Sequence, residues 1–423
     1  MESDSTPAKD YEKIVLGPRI LIVCSRLPTH IQSGTDLRFQ TNILASVSQG
    51  PIAVFALSGR GESISPDIAM WRTASDQSVS HGYHVRDVLQ GVMKEGKNPY
   101  WTRFSDVSEA ELRQTIIEFE PDVVVLERLE VAPYLSVVQD STNARVILDL
   151  DELAGSTNKS LRASDTHDSS GSIRRLWTKY VREFERETVS AVDAVWVSAP
   201  DELENFQAEY GSTKPVSLIP NSIDVHAYAG LSEPRIPRHL IFTGNFSYGP
   251  NLQAVRFLVD QLMPQLPNYT LELVGTSMPK WLREMDNEQI QVVGAVRDVA
   301  RHLSRASVAV VPIYSGGGSR LKVLEAMASG TPVVGTSFGV GGHGFIDGRH
   351  LLIAESVEDF LSAIQRIERD EPLRQQLTSS ALAHIHECRS VESLTKLLRL
   401  EYKVSTAVQH RNVRQTSQSP TQS

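Results

Sequence analysis

Three successive glycines stand directly before a compact set of charged residues in the second half of the chain. Gly316, Gly317 and Gly318 follow a predicted buried strand, and Ser319 is suited to cap a helix that reaches about Ala328. Glycines in this position let backbone N–H groups approach an anion, and the helix dipole favours negative charge there. The same glycines could also serve turn geometry alone, so they leave a phosphate site and a plain turn open.

Two cations at the start of that helix favour the phosphate interpretation over an ordinary solvated helix face. Arg320 and Lys322 oppose the helix dipole, at a cost of about 0.3–1 kcal/mol each. Lys322 also precedes Glu325 by three residues, which is the less favourable order for an ion pair. A bound diphosphate would reverse the balance, because one Arg–phosphate contact is worth on the order of 4 kcal/mol at an effective dielectric of 20. Local violations of this kind are expected at functional sites.

Short apolar runs alternate with amphipathic stretches, which is typical of parallel sheets covered by helices on both faces. Strands are predicted at 19–24, 52–57, 122–127, 144–151 and 193–198, with helices at 36–49 and 109–119. The pattern restarts with strands at 239–244, 271–274, 290–293, 308–312, 332–335 and 351–353, and a helix at 252–262. The sequence therefore predicts an α/β protein with two doubly wound domains that face each other across a cleft. Ligands on such sheets bind at the carboxyl ends of the strands.

Composition divides the chain into four parts. Residues 1–17 and 404–423 are polar and are predicted to be disordered. Between them, we expect a first Rossmann-like domain at 18–228 and a second at 229–403, which includes a terminal helix. The boundary is placed in a stretch rich in Pro, Ser and Glu.

Charge and composition exclude several function classes. The 423 residues include 42 Lys and Arg against 51 Asp and Glu, a net charge of −9 that argues against nucleic-acid binding. The two cysteines lie far apart in sequence and cannot form a disulfide framework or a cysteine zinc site. No secretory signal or transmembrane run is visible, so we expect a cytoplasmic protein, with peripheral membrane contact left open.

The segment GGGSRLKVLEAMASGTPVV, with the later HLLIAES, resembles the donor-site signature of glycosyltransferase family 4, whose members have the GT-B fold. The resemblance extends to FTGNFSYGPN, to Val274 and Gly275, to 292–299 and to 219–224. In the first half it is looser and rests on the strand–loop–helix opening with Gly34 and Arg38. It implies an enzyme that transfers a sugar from a nucleotide-sugar donor with retention at the anomeric carbon and without a bound metal or other cofactor. The acceptor would be a glycan, a lipid-linked sugar or a small molecule.

The resemblance also implies roles for individual residues. Glu325 matches the glutamate that accepts hydrogen bonds from the donor ribose, and Glu127 falls near the sugar and the acceptor. The implied catalytic residues are Arg320, Lys322 and Glu127. The implied donor-binding residues are Gly34, Gly244, Arg297, Gly316, Gly317, Gly318, Ser319, Arg320, Leu321 and Glu325.

Three positions depart from the family pattern. Gly317 stands where the family often has the first of two glutamates, the one that touches the donor sugar. The loop 245–248 lacks the Arg and Lys that many members place near the phosphates, and Thr35 replaces the second glycine of the first-domain loop. Arg320 and Lys322 are therefore the candidates to supply the positive charge. The missing glutamate keeps open a non-catalytic sugar-nucleotide-binding or scaffold protein. An epimerase or phosphorylase of the same fold is a further alternative.

Three other patterns have competing interpretations. Asp149 and Asp151 form an Asp-x-Asp sequence that could hold a divalent cation, although strands often end in Asp at a turn. The glycines at 339, 341 and 344 match a dinucleotide-binding pattern but open no clear helix, so we interpret them as a loop on the donor-sugar side. The stretch 172–187 could touch a membrane, but its acidic residues favour an ordinary helix with aromatics packed inward. The preceding segment, 154–172, is predicted to be a mobile loop near the cleft.

Overall fold

The computed structural model describes residues 17–29, 33–76, 85–151, 153–154, 171–230, 234–316 and 320–416, with backbone alone at 85–87, 171–174 and 404–416. The predicted extension 1–17 therefore lies outside these ranges except for its last residue. Most of the predicted loop 154–172 lies outside them too. The described chain forms two parallel sheets, each covered by helices, as the alternating pattern predicted.

The first sheet has seven described strands in the order β3-β2-β1-β4-β5-β6-β7. They are β1 Ile20–Cys24, β2 Ile52–Ala56, β3 Met70–Thr73, β4 Val123–Glu127, β5 Arg145–Asp151, β6 Ala194–Val197 and β7 Val216–Leu218. The inner strands are buried on both faces, which explains their continuous apolar runs. The edge strands β3 and β7 were not predicted, because they are short, partly exposed and carry no such run.

Six described α-helices cover this sheet. They are α1 Gly34–Val47, α2 Val85–Glu95, α3 Asp106–Phe119, α4 Leu135–Ser141, α5 Gly171–Ala191 and α6 Pro200–Tyr210. Helix α1 begins two residues before its predicted start, because the Ser33 side chain accepts a hydrogen bond from the Asp36 N–H and caps the helix. The aromatics of α5 pack inward, since Trp177 and Phe184 both contact Tyr100 at ring-centroid distances of 6.1 and 6.0 Å. This confirms the interpretation of 172–187 as an ordinary helix of the first domain.

The second sheet has six described strands in the order β10-β9-β8-β11-β12-β13. They are β8 His239–Asn245, β9 Thr270–Thr276, β10 Ile290–Gly294, β11 Val308–Val311, β12 Val333–Gly335 and β13 Leu352–Ile353. Each lies at a predicted position. The two sheets resemble each other in their central strands, so the prediction of two doubly wound domains is confirmed.

The helices around the second sheet follow the predicted alternation. They are α7 Gly249–Arg256, α8 Lys280–Arg283, α9 Val299–Arg305, α10 Leu321–Ala328, α11 Ser337–Val340, α12 Val357–Arg369 and α13 Glu371–Cys388. Helix α7 differs from the predicted single helix at 252–262, since its winding widens into a π-helix over Phe257–Leu262. No helix in the described ranges is both long and apolar enough to cross a membrane.

The last helix, α14 Val391–Thr416, returns to the first domain. Leu394, Leu398 and Tyr402 are buried in the core formed by one face of the first sheet. The Tyr402 hydroxyl lies 2.9 Å from Ser46 Oγ of α1, and its ring packs against Trp196 of β6 at 6.0 Å. Three large side chains thus join the terminal helix to the first sheet.

This packing differs from the predicted domain boundaries. The sequence analysis places the terminal helix in the second domain at 229–403, whereas its buried side chains belong to the first core. We predicted that 404–423 is disordered, whereas the helical backbone continues to Thr416. The sequence pattern showed an amphipathic helix but not which core its apolar face would cover.

We predict that Tyr402→Ala destabilises the first domain by about 3–5 kcal/mol, because it removes a fully buried aromatic side chain. Tyr402→Phe should cost about 0.5–1.5 kcal/mol, since it loses only the hydrogen bond to Ser46. Denaturant unfolding followed by tryptophan fluorescence measures both. Leu400→Ala is the control, since Leu400 is 62% exposed on the same helix. Equal stability of the three variants would contradict the docking of α14.

Candidate active site

Two glycines let the loops at the carboxyl ends of β8 and β11 approach other groups closely. A Cβ atom on Gly244 would lie 2.8 Å from Asn251 Nδ2 and 3.2 Å from Lys322 Nζ. Gly316 has a φ of +125°, and a Cβ there would lie 2.5 Å from the Tyr248 hydroxyl. Side chains at either position would force these elements apart. The two predicted donor-binding glycines therefore lie where backbone must pass close to neighbouring side chains.

The start of α10 differs from its predicted form. The helix begins at Leu321, which is buried, and Arg320 occupies the N-cap position with φ 44° and ψ 30°. This left-handed conformation is uncommon for a residue with a side chain, and such strain concentrates at functional sites. The predicted cap Ser319, with Gly317 and Gly318, lies outside the described residues.

The Arg320 side chain is held by an aromatic ring. Its guanidinium carbon lies 4.5 Å from the centroid of Phe338 in α11. A Cβ atom on Gly342 would lie 3.4 Å from Arg320 Nη1, so the loop after α11 passes directly beside the guanidinium. A cation over an aromatic face is stabilised by roughly 0.5–2 kcal/mol and is held in place without neutralisation of its charge.

Lys322 points toward the end of β8. Its Nζ donates a hydrogen bond to Asn251 Oδ1 at 2.7 Å and lies 4.2 Å from the Phe242 ring centroid. The surrounding protein strips most of the hydration from the ammonium group, which lowers the pKa of Lys322 to about 7, although Glu325 acts in the opposite direction. Near neutral pH the Lys322 side chain therefore gains or loses its proton easily.

Glu325 lies one turn further along α10 and accepts a hydrogen bond from the Tyr228 hydroxyl at 3.1 Å. Desolvation raises the pKa of Glu325 to about 7, against the lowering effects of the Tyr228 hydrogen bond and of Lys322. Burial and the nearby Glu325 charge raise the pKa of Tyr228 well above its usual value. The pair therefore joins α10 to the turn Val225–Tyr228, just after the chain enters the second domain.

Gly34 is the first residue of α1, and α1 contacts α10 across the cleft. Leu37 in the first turn of α1 is 3% exposed and packs in the core of the second domain. The first-domain glycine is therefore brought to the helix that carries Lys322 and Glu325. The structure thus brings Gly34 of the first domain to the same cleft as Lys322 and Glu325 of the second.

Glu127 is not at the cleft surface, and its predicted position facing the acceptor is wrong. Its side chain is fully buried at the end of β4, where its carboxylate accepts hydrogen bonds from Asn42 Nδ2 at 3.0 and 3.3 Å. Desolvation and the neighbouring Asp149 raise the pKa of Glu127 well above its usual range. The sequence predicts that Glu127 ends a strand, but it does not predict that helix α1 covers this end.

The two aspartates of the Asp-x-Asp sequence are paired with arginines. Asp149 accepts two hydrogen bonds from the buried Arg38 guanidinium, at 2.6 and 2.7 Å. Asp151 accepts one from Arg128 Nη1 at 3.1 Å. Guanidinium groups therefore surround the oxygens that a divalent cation would need. Within the described ranges, no group of three His, Cys, Asp or Glu side chains could hold a metal ion.

Arg297 is exposed in the loop between β10 and α9. The adjacent Asp298 lies within electrostatic reach of Tyr228, so this loop borders the Tyr228–Glu325 pair. Beside it, a cavity of about 320 Å³ is lined by 275–278 and 292–295, at the ends of β9 and β10. The structure thus brings Arg297 to the rim of this region, and among the described residues no hydrogen bond joins it to another predicted site residue.

The glycine pattern at 339–344 does not form a dinucleotide turn. Gly339 lies inside the short helix α11, which Thr336 caps at its N-terminus. A Cβ on Gly339 would lie 2.7 Å from the Val311 carbonyl oxygen, so this glycine permits close helix–strand packing. The residues that follow line the arginine side of the site, as the contact between Gly342 and Arg320 shows.

Sequence reasoning missed three residues that complete the site. Tyr228 binds Glu325, Asn251 binds Lys322, and Phe338 supports Arg320. Each lies far from its partner in sequence or on another element. For Asn251, the Gly-Pro-Asn sequence at the start of α7 predicts a helix N-terminus, but it does not predict that Asn251 binds a lysine.

Comparison with known families finds a match in the second domain. Residues 237–370 match the family model described as glycosyl transferases group 1. No curated protein matches the chain by sequence.

Several solved structures share the architecture of the whole chain. Sucrose-phosphate synthase from Thermosynechococcus elongatus is 19% identical, with a TM-score of 0.69 over 93% of this chain and 100% of that protein. HepE from Anabaena, solved with UDP-glucose, is 13% identical, with a TM-score of 0.63 over 92% of this chain and 100% of that protein. A TarM variant from S. aureus, solved with UDP, is 11% identical, with a TM-score of 0.63 over 92% and 99%.

The TM-scores of 0.63 to 0.69 over nearly the whole chain show the shared fold, and the family match adds a sequence relationship for residues 237–370. The predicted resemblance and the two-domain architecture are both confirmed. The chain has the GT-B fold, and residues 237–370 of its second domain match the glycosyl transferases group 1 family model.

Proposed function

We propose that this protein is a retaining glycosyltransferase that transfers a sugar from a nucleotide-sugar donor without a metal ion. The observation that carries this proposal is the convergence of Gly244, Gly316, Arg320, Lys322 and Glu325 at one end of the second sheet. Glycine backbone, two cations and one carboxylate are the groups that a diphosphate and a ribose require.

The donor would lie across the start of α10. Arg320, at the N-cap of α10, and Lys322, in its first turn, would stabilise negative charge as it develops on the departing diphosphate. Glu325 would accept hydrogen bonds from the ribose hydroxyls. Most of the rate enhancement would come from orientation and from these fixed charges, because both cations are already held by protein groups.

Ligands bound to structural neighbours support a uridine nucleotide as the first donor class to test. HepE was solved with UDP-glucose, and a pneumococcal O-GlcNAc transferase was solved with UDP and GlcNAc. A hexose or N-acetylhexosamine donor fits this class. The acceptor would bind on the first-domain side and would be a glycan, a lipid-linked sugar or a small molecule. The two cysteines, both free, suit a cytoplasmic location.

A non-catalytic sugar-nucleotide-binding protein is the second candidate. Gly317 stands where the family glutamate would touch the donor sugar, so the chain lacks that carboxylate at this position. Such a protein would bind the nucleotide and release no sugar.

The two candidates are separated by incubation of the purified protein with UDP-sugars, with release of UDP as the measurement. We expect slow hydrolysis or transfer, and we expect EDTA to leave the rate unchanged because Arg320 and Lys322 meet the diphosphate charge. Binding without any release of UDP would support the non-catalytic candidate. Loss of activity in EDTA with recovery on addition of manganese would contradict metal independence.

We predict that Glu325→Gln weakens nucleoside diphosphate binding by roughly 10- to 100-fold. The loss of charge-assisted hydrogen bonds to the ribose should cost about 1.5–3 kcal/mol. Isothermal titration calorimetry with UDP measures the effect. Glu358→Gln is the control, because Glu358 is exposed in the first turn of α12. Wild-type affinity in the Glu325 variant would remove this residue from the site.

We also predict that UDP affinity is highest near pH 7. Below that pH, Glu325 takes up a proton and becomes a poorer acceptor, and above it Lys322 loses its charge, since both groups have a pKa of about 7. Lys322→Met should remove the alkaline limb and Glu325→Gln the acidic limb. Tyr228→Phe should shift the acidic limb to higher pH, because it deletes the hydrogen bond that stabilises the Glu325 carboxylate. A profile unchanged by all three substitutions would refute the assignment.

A further inference from the structure

The chain crosses between the domains twice, and the two crossings are bonded to each other. The Ile223 N–H donates to the Arg389 carbonyl oxygen at 2.8 Å, and the Val391 N–H donates to the Ile223 carbonyl oxygen at 3.1 Å. The segment 219–223 leads into the second domain, and 389–391 leads back to the first. A change in the angle between the domains must therefore move both segments together.

The first domain anchors this pair of crossings through a buried arginine. Arg38 Nη1 donates to the Ile219 carbonyl oxygen at 3.0 Å and to Asn221 Oδ1 at 2.9 Å. Asn221 Nδ2 in turn donates to Asp151 Oδ1 at 3.3 Å. Because Arg38 is fully buried and held by Asp149, this end of the crossing is fixed to the first sheet.

On the other side, Arg389 connects the crossings to the second domain. Its Nε donates to the His343 carbonyl oxygen at 3.3 Å, and its Nη2 donates to the Gly342 carbonyl oxygen at 3.4 Å. His384 Nε2 donates to the same His343 oxygen at 2.9 Å. One planar guanidinium thus holds two successive carbonyl groups of the loop after α11, which a flexible lysine could not do equally well.

That loop lies between the proposed phosphate site and the first domain. Gly342 has a φ of +85°, and a Cβ there would lie 3.4 Å from Arg320 Nη1. The same Cβ would lie 3.8 Å from the Cβ of Ala199, which precedes α6 in the first domain. Arg389 therefore binds the carbonyl group of Gly342, the residue that lies between Arg320 and the first-domain side of the cleft.

We propose that Arg389 is a positioning residue that couples the angle between the domains to the placement of Arg320 at the diphosphate. It acts through the Gly342 and His343 carbonyl groups, and it touches neither donor nor acceptor. The proposal rests on the proposed function in one respect, since it assumes that Arg320 binds the diphosphate. Its physical basis is a continuous path from Arg38 through Ile223 and Arg389 to Gly342.

A double-mutant cycle on UDP affinity tests the coupling. Arg389→Gln should weaken UDP binding about tenfold, within the range typical of coupling between sites. In the Arg320→Gln background, the same change should have less than about a twofold effect, because the group that Arg389 positions is absent. Arg389→Lys should recover part of the affinity. Arg399→Gln is the control, because Arg399 is exposed on α14. Additive effects of the two substitutions would overturn the coupling.

Hydrogen exchange of the backbone amides at 339–344 gives a readout that needs no ligand. Arg389→Gln should speed exchange in this segment and leave the strands of the second sheet unchanged, with Arg389→Lys intermediate. Unchanged exchange in both variants would overturn the positioning role, even if wild-type protein bound no nucleotide. The wild type could also fail to bind any nucleotide while exchange is faster in the Arg389→Gln variant. That result would reject the proposed function but would still support the positioning of the loop by Arg389.

Discussion

The buried ion pair between Arg38 and Asp149 is the interaction on which the arrangement of the molecule depends. Arg38 is on α1, Asp149 is on β5, and the remaining N–H groups of the guanidinium bind the segment that leads into the second domain. Isolated charges cannot be buried at this depth, so each partner requires the other and the neutral acceptors around it. Breaking such a pair typically costs about 3–5 kcal/mol because one charge stays uncompensated. One contact therefore fixes the first helix, the central sheet and the domain crossing relative to one another.

Backbone strain and desolvation of charged groups both occur at the proposed donor site. Arg320 adopts a left-handed backbone conformation, and Lys322 and Glu325 lie where desolvation disfavours their charged forms. An anionic ligand would offset the desolvation of Lys322, and hydroxyl groups that donate hydrogen bonds would offset that of Glu325. The glycines that surround the site keep its backbone close to the charges. Unfavourable local terms of this kind are typical of functional sites, and they support the proposal that a charged ligand binds here.

The terminal helix and the two crossings, 219–223 and 389–391, connect the two domains. The apolar face of helix α14 packs on the core of the first domain. The first and the last described elements therefore lie in the same domain. Because Ile223 is bonded to both Arg389 and Val391, neither crossing can move alone. Leu37 extends from α1 into the core of the second domain, close to the cleft. A change in the angle between the domains would therefore act on the loops that border the proposed donor site, as proposed for Arg389.

The sequence alone predicted the inner strands of both sheets and the residues near the start of α10 that could bind a phosphate. Apolar runs predicted the inner strands, because a strand buried on both faces needs them, and the glycines with Arg320, Lys322 and Glu325 indicated a phosphate site. Tertiary structure decided what local pattern does not encode. It buried Glu127 beneath α1 and brought Tyr228 to Glu325, 97 residues away. It also docked α14 on the first core instead of the second. The physical reason is that a side chain's neighbours, and hence its hydration, charge state and role, come from segments distant in the chain.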